Sequence, residues 1–241
     1  MLRAAERRRQ EEEILLSICE QHTRLAPPEV VFSEPYLPRI PPRWNSVLVL
    51  AEAQNLGRQS AAYREALAAK SPRERMVRLA GKGEAGIQPW DDGSIKLAIA
   101  AALVCEPEET AVSNVVPWSR VDTDDNNATP SDPMIERAIS FWKDLLPRTG
   151  PETIITCGKV AARVITAADD EVGRRFVLHK WRLPSPSAMS RVSGMFSEAD
   201  LLERYPEVAE VCSRHPEWAD RPHRRNKIFF ACHAVSTTAR G

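Results

Sequence analysis

Apolar residues along the chain fall into short continuous runs, separated by longer stretches in which they recur at helical spacing. The clearest run lies inside SVLVLAEAQNLG (46–57), where Val47 to Ala51 are consecutively apolar and partly β-branched. That pattern predicts a strand buried on both faces. Glu52, Gln54 and Asn55 follow at once and Gly57 permits a turn, so a polar loop is expected where the strand ends. Open α/β sheets bind ligands at such carboxyl ends. Further strands are predicted at Ala111–Val116 (AVSNVV), Thr153–Cys157 (TIITC) and Phe176–Leu178. Helical periodicity occupies the intervals. It covers 58–80 with a restart at Ser71-Pro72, Ser94–Val104, a segment opened by Pro130 or Pro133 with Ile135, Ile139, Trp142 and Leu146, and the stretch after Gly158. Alternating strands and helices predict an α/β fold, a three-layer α/β/α sandwich around a central four-stranded parallel sheet.

The flanks read differently. Residues 1–24 pair Arg7, Arg8 and Arg9 with Glu11, Glu12 and Glu13 ahead of Ile14, Leu15, Leu16 and Ile18, which favours a packing helix with a charged start. Six prolines between Pro27 and Pro42 exclude regular structure and predict an extended strap across the surface. Residues 1–44 are therefore expected to form a helix and strap, and 45–241 an α/β domain with a C-terminal extension, together one globular unit. In that extension, 197–218 reads as two short helices broken at Pro206, followed by the basic turn ADRPHRRNK and an edge strand at KIFFAC.

Charge narrows the classes. Lys plus Arg and Asp plus Glu are both 33, so no global field draws the protein to a polyanion, and any such contact must be a local patch. No apolar run reaches membrane-spanning length and the N-terminal stretch is charged, so a cytoplasmic monomer without a membrane partner is expected. Five scattered cysteines without a CxxC pair suit reduced thiols.

Three places carry candidate chemistry. Asn114 interrupts a strand against β-propensity, and a buried amide offers a donor and an acceptor to a ligand edge. Trp90, in the loop IQPWDDG, either caps the core or offers a stacking plane to a base. LPSPSAMSR (183–191) fixes a loop with two prolines while Ser185, Ser187 and Ser190 supply hydroxyls and Arg191 charge, equipment for gripping a phosphate. Other features fall short of a motif. GKGEAG follows no strand, DTDDNNATPSD lacks the calcium-loop spacing, and Cys212, His215, His223, Cys232 and His233 match no zinc pattern, so no metal or cofactor is expected.

In combination these segments resemble the uracil-DNA glycosylase superfamily. AEAQN resembles that family's first motif, GEAPG or GQDPY depending on the branch. PWDDGSIKLAIAAAL resembles its aromatic loop and following helix, SNVVPWSR the strand whose Asn reads uracil, TIITCGKVAARVI the next strand-Gly-helix unit, and LPSPSAMSR the HPSPLS loop that grips DNA. The resemblance spans roughly residues 45–200, in the family's order. It implies hydrolysis of the N-glycosidic bond of uracil or another deaminated base in DNA. Asn114 would read the base and Trp90 stack on it, with Ala53 and Gln54 around the base. Ser185, Pro186 and Ser187 would hold phosphates, and Met189 or Arg191 would sit near the emptied stack.

The sequence departs from the family at the residues that help most with charge. Leu183 stands where the motif has His, Ala53 where GQDPY has its carboxylate, and Gln54 where both motifs have proline. The iron–sulfur cysteine pattern of the GEAPG branch is absent. Glu52 then either orients water or bonds loop amides, and His179 is a more distant candidate. The competing expectation is a binding protein of the same fold with little or no catalysis.

Overall fold

The computed structural model describes residues 2–56, 61–77, 93–121, 130–173, 176–182, 195–220 and 223–239. Four strands, β1 (Val47–Leu56), β2 (Ala111–Val121), β3 (Thr153–Cys157) and β4 (Val177–Trp181), form one sheet in the order β2-β1-β3-β4. Every neighbouring pair is parallel. The helices are α1 (Leu2–Thr23), α2 (Ala61–Ala68), α3 (Pro72–Met76), α4 (Ser94–Leu103), α5 (Asp132–Thr149), α6 (Lys159–Val172), α7 (Glu198–Arg204), α8 (Pro206–Arg214) and α9 (Arg224–Thr238).

Period-two alternation along the strands divides the core. Leu48, Leu50 and Ile154 pack with Phe141, Trp142, Leu145, Val164 and Ile165 of α5 and α6, together with Leu16 and Cys19 of α1. Val49, Ile155 and Cys157 pack on the opposite face with Ile95 and Ile99 of α4 and Ile228, Phe230 and Ala231 of α9. Helices thus cover both faces, consistent with the three-layer order. Residues placed on one amphipathic stripe do the work. In α5, Ser131 caps the N-terminus by accepting from the Met134 N–H, Pro133 sits in the first turn where its missing donor costs nothing, and Gly150 closes the helix at φ 64°.

The strap runs along the outer edge of β2. Arg39 bridges Val112 in antiparallel sense, and the Tyr36 N–H donates to the Pro117 carbonyl at 2.9 Å. On the strap's other side the Leu37 N–H donates to the Met76 carbonyl at 2.8 Å, and Arg75 grips Glu34 through two hydrogen bonds of 3.1 and 2.7 Å. An edge strand presents unpaired backbone groups, and this strap covers them. The position also explains Pro117 inside a strand, since an edge strand tolerates a missing donor.

Three expectations require correction. AEAQNL is strand, not loop: β1 continues to Leu56 because β2 pairs with it as far as Leu56 to Val121, well beyond the last β1–β3 pair, Leu50 to Thr156. KIFFAC is helix, part of α9, not an edge strand. A short apolar run does not tell the two apart, and α9 is apolar on several sides because α4, α7 and β4 all pack on it. β4 also runs later than expected, from Val177 to Trp181.

Candidate functional site

The sheet positions one polar residue where β3 ends while β1 and β2 run on. Asn114 pairs with Ala51, one residue beyond the last β1–β3 pair, so it lies level with the end of β3 and part-way along β2. Its side chain is fully buried. Alternation puts Ala51 and Asn114 on the same face as Val49 and Val112, the face covered by α4 and α9. Just past this pair the register changes: from Ala53–Val116 to Asn55–Arg120, β2 takes four residues where β1 takes two. Such an irregularity bends the longer strand and re-aims its side chains.

The Asn114 amide is half satisfied. Nδ2 donates to the Tyr36 hydroxyl at 2.5 Å, while Oδ1 is buried without a hydrogen-bond partner among the described residues. A buried acceptor left unpaired costs about 1–3 kcal/mol. An internal water or a ligand N–H relieves that cost, and only a ligand makes the position selective. Asn114 thus offers a desolvated acceptor level with the end of β3.

Of the other predicted residues, Ala53 is half-buried beside Val116, and Gln54 belongs to β1. Glu52 is half-buried on β1, between Ala51 and Ala53. Ala53 packs in the core with Leu50, not on the Val49 side, so strict alternation along β1 ends between Ala51 and Ala53. His179 lies in mid-strand, paired with Ile155, and its carbonyl accepts from the Thr156 hydroxyl at 3.3 Å. Trp90, Leu183, Ser185, Pro186, Ser187, Met189 and Arg191 lie outside the described residues, so the stacking and phosphate-gripping parts have no geometry here.

Tyr36 is the residue that sequence reasoning missed. It is fully buried and touches the amide of the candidate reader. Its signal was a lone aromatic between two prolines, PYLP (35–38), in a stretch otherwise read as surface strap.

The cysteines are inert packing groups. Burial pushes the Cys157 and Cys232 thiols up to about 12 and raises those of Cys19, Cys105 and Cys212 as well. Among the described residues no group of three or more His, Cys, Asp or Glu is arranged to hold a metal ion. His233, near Arg182, is held below its ordinary value by burial and then by that positive charge. A cleft of about 500 Å³ between α1 and the strap is lined by Leu15, Leu37, Ile40 and Trp44 with Glu11, Glu12 and Arg39, and contains none of the predicted site residues. Among the described residues, no helix is long and apolar enough to cross a membrane. No protein-family model matches the chain, and no curated protein sequence matches it.

Proposed function

We propose that the protein is a divergent member of the uracil-DNA glycosylase superfamily that recognises a deaminated base, foremost uracil, extruded from DNA and hydrolyses its N-glycosidic bond. The observation that carries this reading is the Asn114 amide: fully buried, level with the end of β3, beside the first motif on β1, with Oδ1 unpaired among the described residues. A flipped uracil brings an imide N–H to such an acceptor, and the exchange removes the cost of the orphan. The amide is sealed from solvent as it stands, so a base reaches it only when its cover opens.

Catalytic help is thin. With Ala53 and Leu183 in place of a carboxylate and an imidazole, transition-state charge on the departing base is met by fixed amide dipoles rather than by a protonatable side chain. Glu52 is the carboxylate of the first motif and the candidate to orient water or to bond nearby backbone amides. The lack of both groups supports the second reading, a base- or DNA-binding protein of this fold with weak turnover.

Oligonucleotides carrying one uracil, hypoxanthine or xanthine, treated with enzyme and then alkali, separate these readings. The glycosylase reading predicts strand cleavage that Asn114→Ala reduces at least about 100-fold, in the range expected for losing a key polar contact in a desolvated site. Salt-dependent binding without cleavage of any of the three substrates favours the binder. Neither binding nor cleavage overturns both.

A further inference from the structure

We propose that two copies of this chain pair through α1, each seating the first half of its helix on the cleft between the other copy's α1 and strap, so that the protein is a dimer rather than the expected monomer. This pairing is independent of the base-recognition reading above.

The cleft is a mostly apolar groove of about 500 Å³. One wall is α1, which turns Glu11, Glu12 and Leu15 toward it, and the other is the strap, with Leu37, Ile40 and Trp44. The strap wall is fixed in advance. The Leu37 N–H donates to the Met76 carbonyl at 2.8 Å, and the Trp44 indole N–H donates to the Val47 carbonyl at 2.8 Å. With two carboxylates against the one guanidinium of Arg39, the cleft is net acidic. It suits an occupant that brings a small apolar surface with basic side chains beside it.

The first half of α1 has that composition. The helix runs from Leu2 to Thr23, and among the described residues those it sends into or against the core are Leu15, Leu16, Ile18 and Cys19, all in its second half. Followed upstream at helical spacing, the face of Leu15, Glu12 and Glu11 continues through Arg8 to Ala5 and Ala4. That face is self-complementary. RRRQEEE (7–13) reverses its charges about Gln10, so an antiparallel helix pair with its two-fold axis level with Gln10 sets Arg8 opposite the second copy's Glu12, Arg9 opposite its Glu11 and Ala5 opposite its Leu15. Each contact then occurs twice, as an isologous interface requires. Inside a single helix the same charges stand at i,i+4 in the weaker order, Arg before Glu. Glu13, at the end of the run, is already bonded to Arg73 at 3.1 and 2.5 Å, which leaves Glu11 and Glu12 as the carboxylates that face the cleft.

Sedimentation equilibrium of the full chain tests the pairing by a charge exchange. The wild type should approach twice the 27.0 kDa of one chain and shift toward the single chain at high salt. Arg8→Glu with Arg9→Glu makes the helix acidic on both sides of Gln10, and Glu11→Arg with Glu12→Arg makes it basic on both sides. Each double variant alone should dimerise at least about tenfold more weakly than the wild type. An equimolar mixture of the two restores opposite charge at all four positions and should return to the dimer mass. Circular dichroism checks that each variant is folded; Ala5→Glu, which sets a charge opposite Leu15, should weaken the dimer as well and stands in for a double variant that fails to fold. A wild type of single-chain mass at about 100 μM overturns the proposal. So does a dimer that survives in both double variants, which would place the interface elsewhere, and so do folded variants that stay monomeric when mixed.

Discussion

A few side chains hold the strap against the sheet, and their energetics are separable. Arg75 and Glu34 form a mostly buried, doubly hydrogen-bonded ion pair. Removing one partner of such a pair strands a buried charge and costs about 3–5 kcal/mol, whereas replacing both by apolar residues of similar size is often close to neutral. Arg75→Ala should therefore lower the urea midpoint sharply, and Arg75→Met combined with Glu34→Leu should recover most of the loss; an additive double variant contradicts the buried-pair account. Gly93 is a second such point. At φ +92° it starts α4, and a Cβ there would lie 2.3 Å from the Trp218 carbonyl oxygen. Because the obstacle is backbone, Gly93→Ala should destabilise by roughly 1–3 kcal/mol, measured by chemical denaturation; a neutral effect would mean that the turn Pro216–Ala219 yields. Tyr36 shows why residue-level roles escaped sequence reading. Nothing in PYLP announces a hydrogen bond to a residue 78 positions away.

Elements were legible where local pattern and final environment agree. The apolar run at Val47–Ala51 is a strand because both faces are covered, and Ser71-Pro72 opens α3 with a complete capping box to Glu74. They were not legible where a neighbour decides. Glu52 to Leu56 reads as loop by polarity and becomes strand because β2 runs beside it. The KIFFAC segment has no helical stripe because neighbours surround it. Asn114 stood out early for the opposite reason, as a polar residue that strand propensity disfavours. The thiols test the packing of these elements. Cys19 on α1, Cys157 at the end of β3, Cys212 on α8 and Cys232 on α9 are all buried and all raised above the ordinary thiol range. In native buffer at neutral pH a thiol reagent should modify at most Cys105, the half-buried one, and in denaturant all five; fast native labelling of any of the other four would show its helix or strand to be loosely packed.

At the scale of the whole molecule, the same thiols predict how stability depends on pH. Their folded values lie above the ordinary value of 9.0, with Cys157 and Cys232 at about 12. The unfolded chain therefore loses these protons first. Stability from keeping them neutral is complete below about pH 9 and is lost as pH rises toward 12, by up to about 1.4 kcal/mol per pH unit for each thiol. Urea midpoints measured from pH 8 to 10.5 should fall over this window and fall less steeply in Cys157→Ser. Electrostatics also bounds DNA association. With 33 basic and 33 acidic residues, attraction must come from local contacts, so a plot of log affinity against log salt should have a slope of only about −2 to −5. A slope near −10 would require a broad basic surface that the balanced charge does not supply.

The central claim is that Asn114 reads a base which the protein then removes. Single-turnover incubation of excess protein with a single-stranded oligonucleotide carrying one uracil, with the free base identified by mass, tests it most directly. The account predicts free uracil and an abasic strand from the wild type, with the rate lowered at least about 100-fold in Asn114→Ala at unchanged fold. Uracil release that is equal in Asn114→Ala, or none from the wild type at any protein concentration, would contradict it.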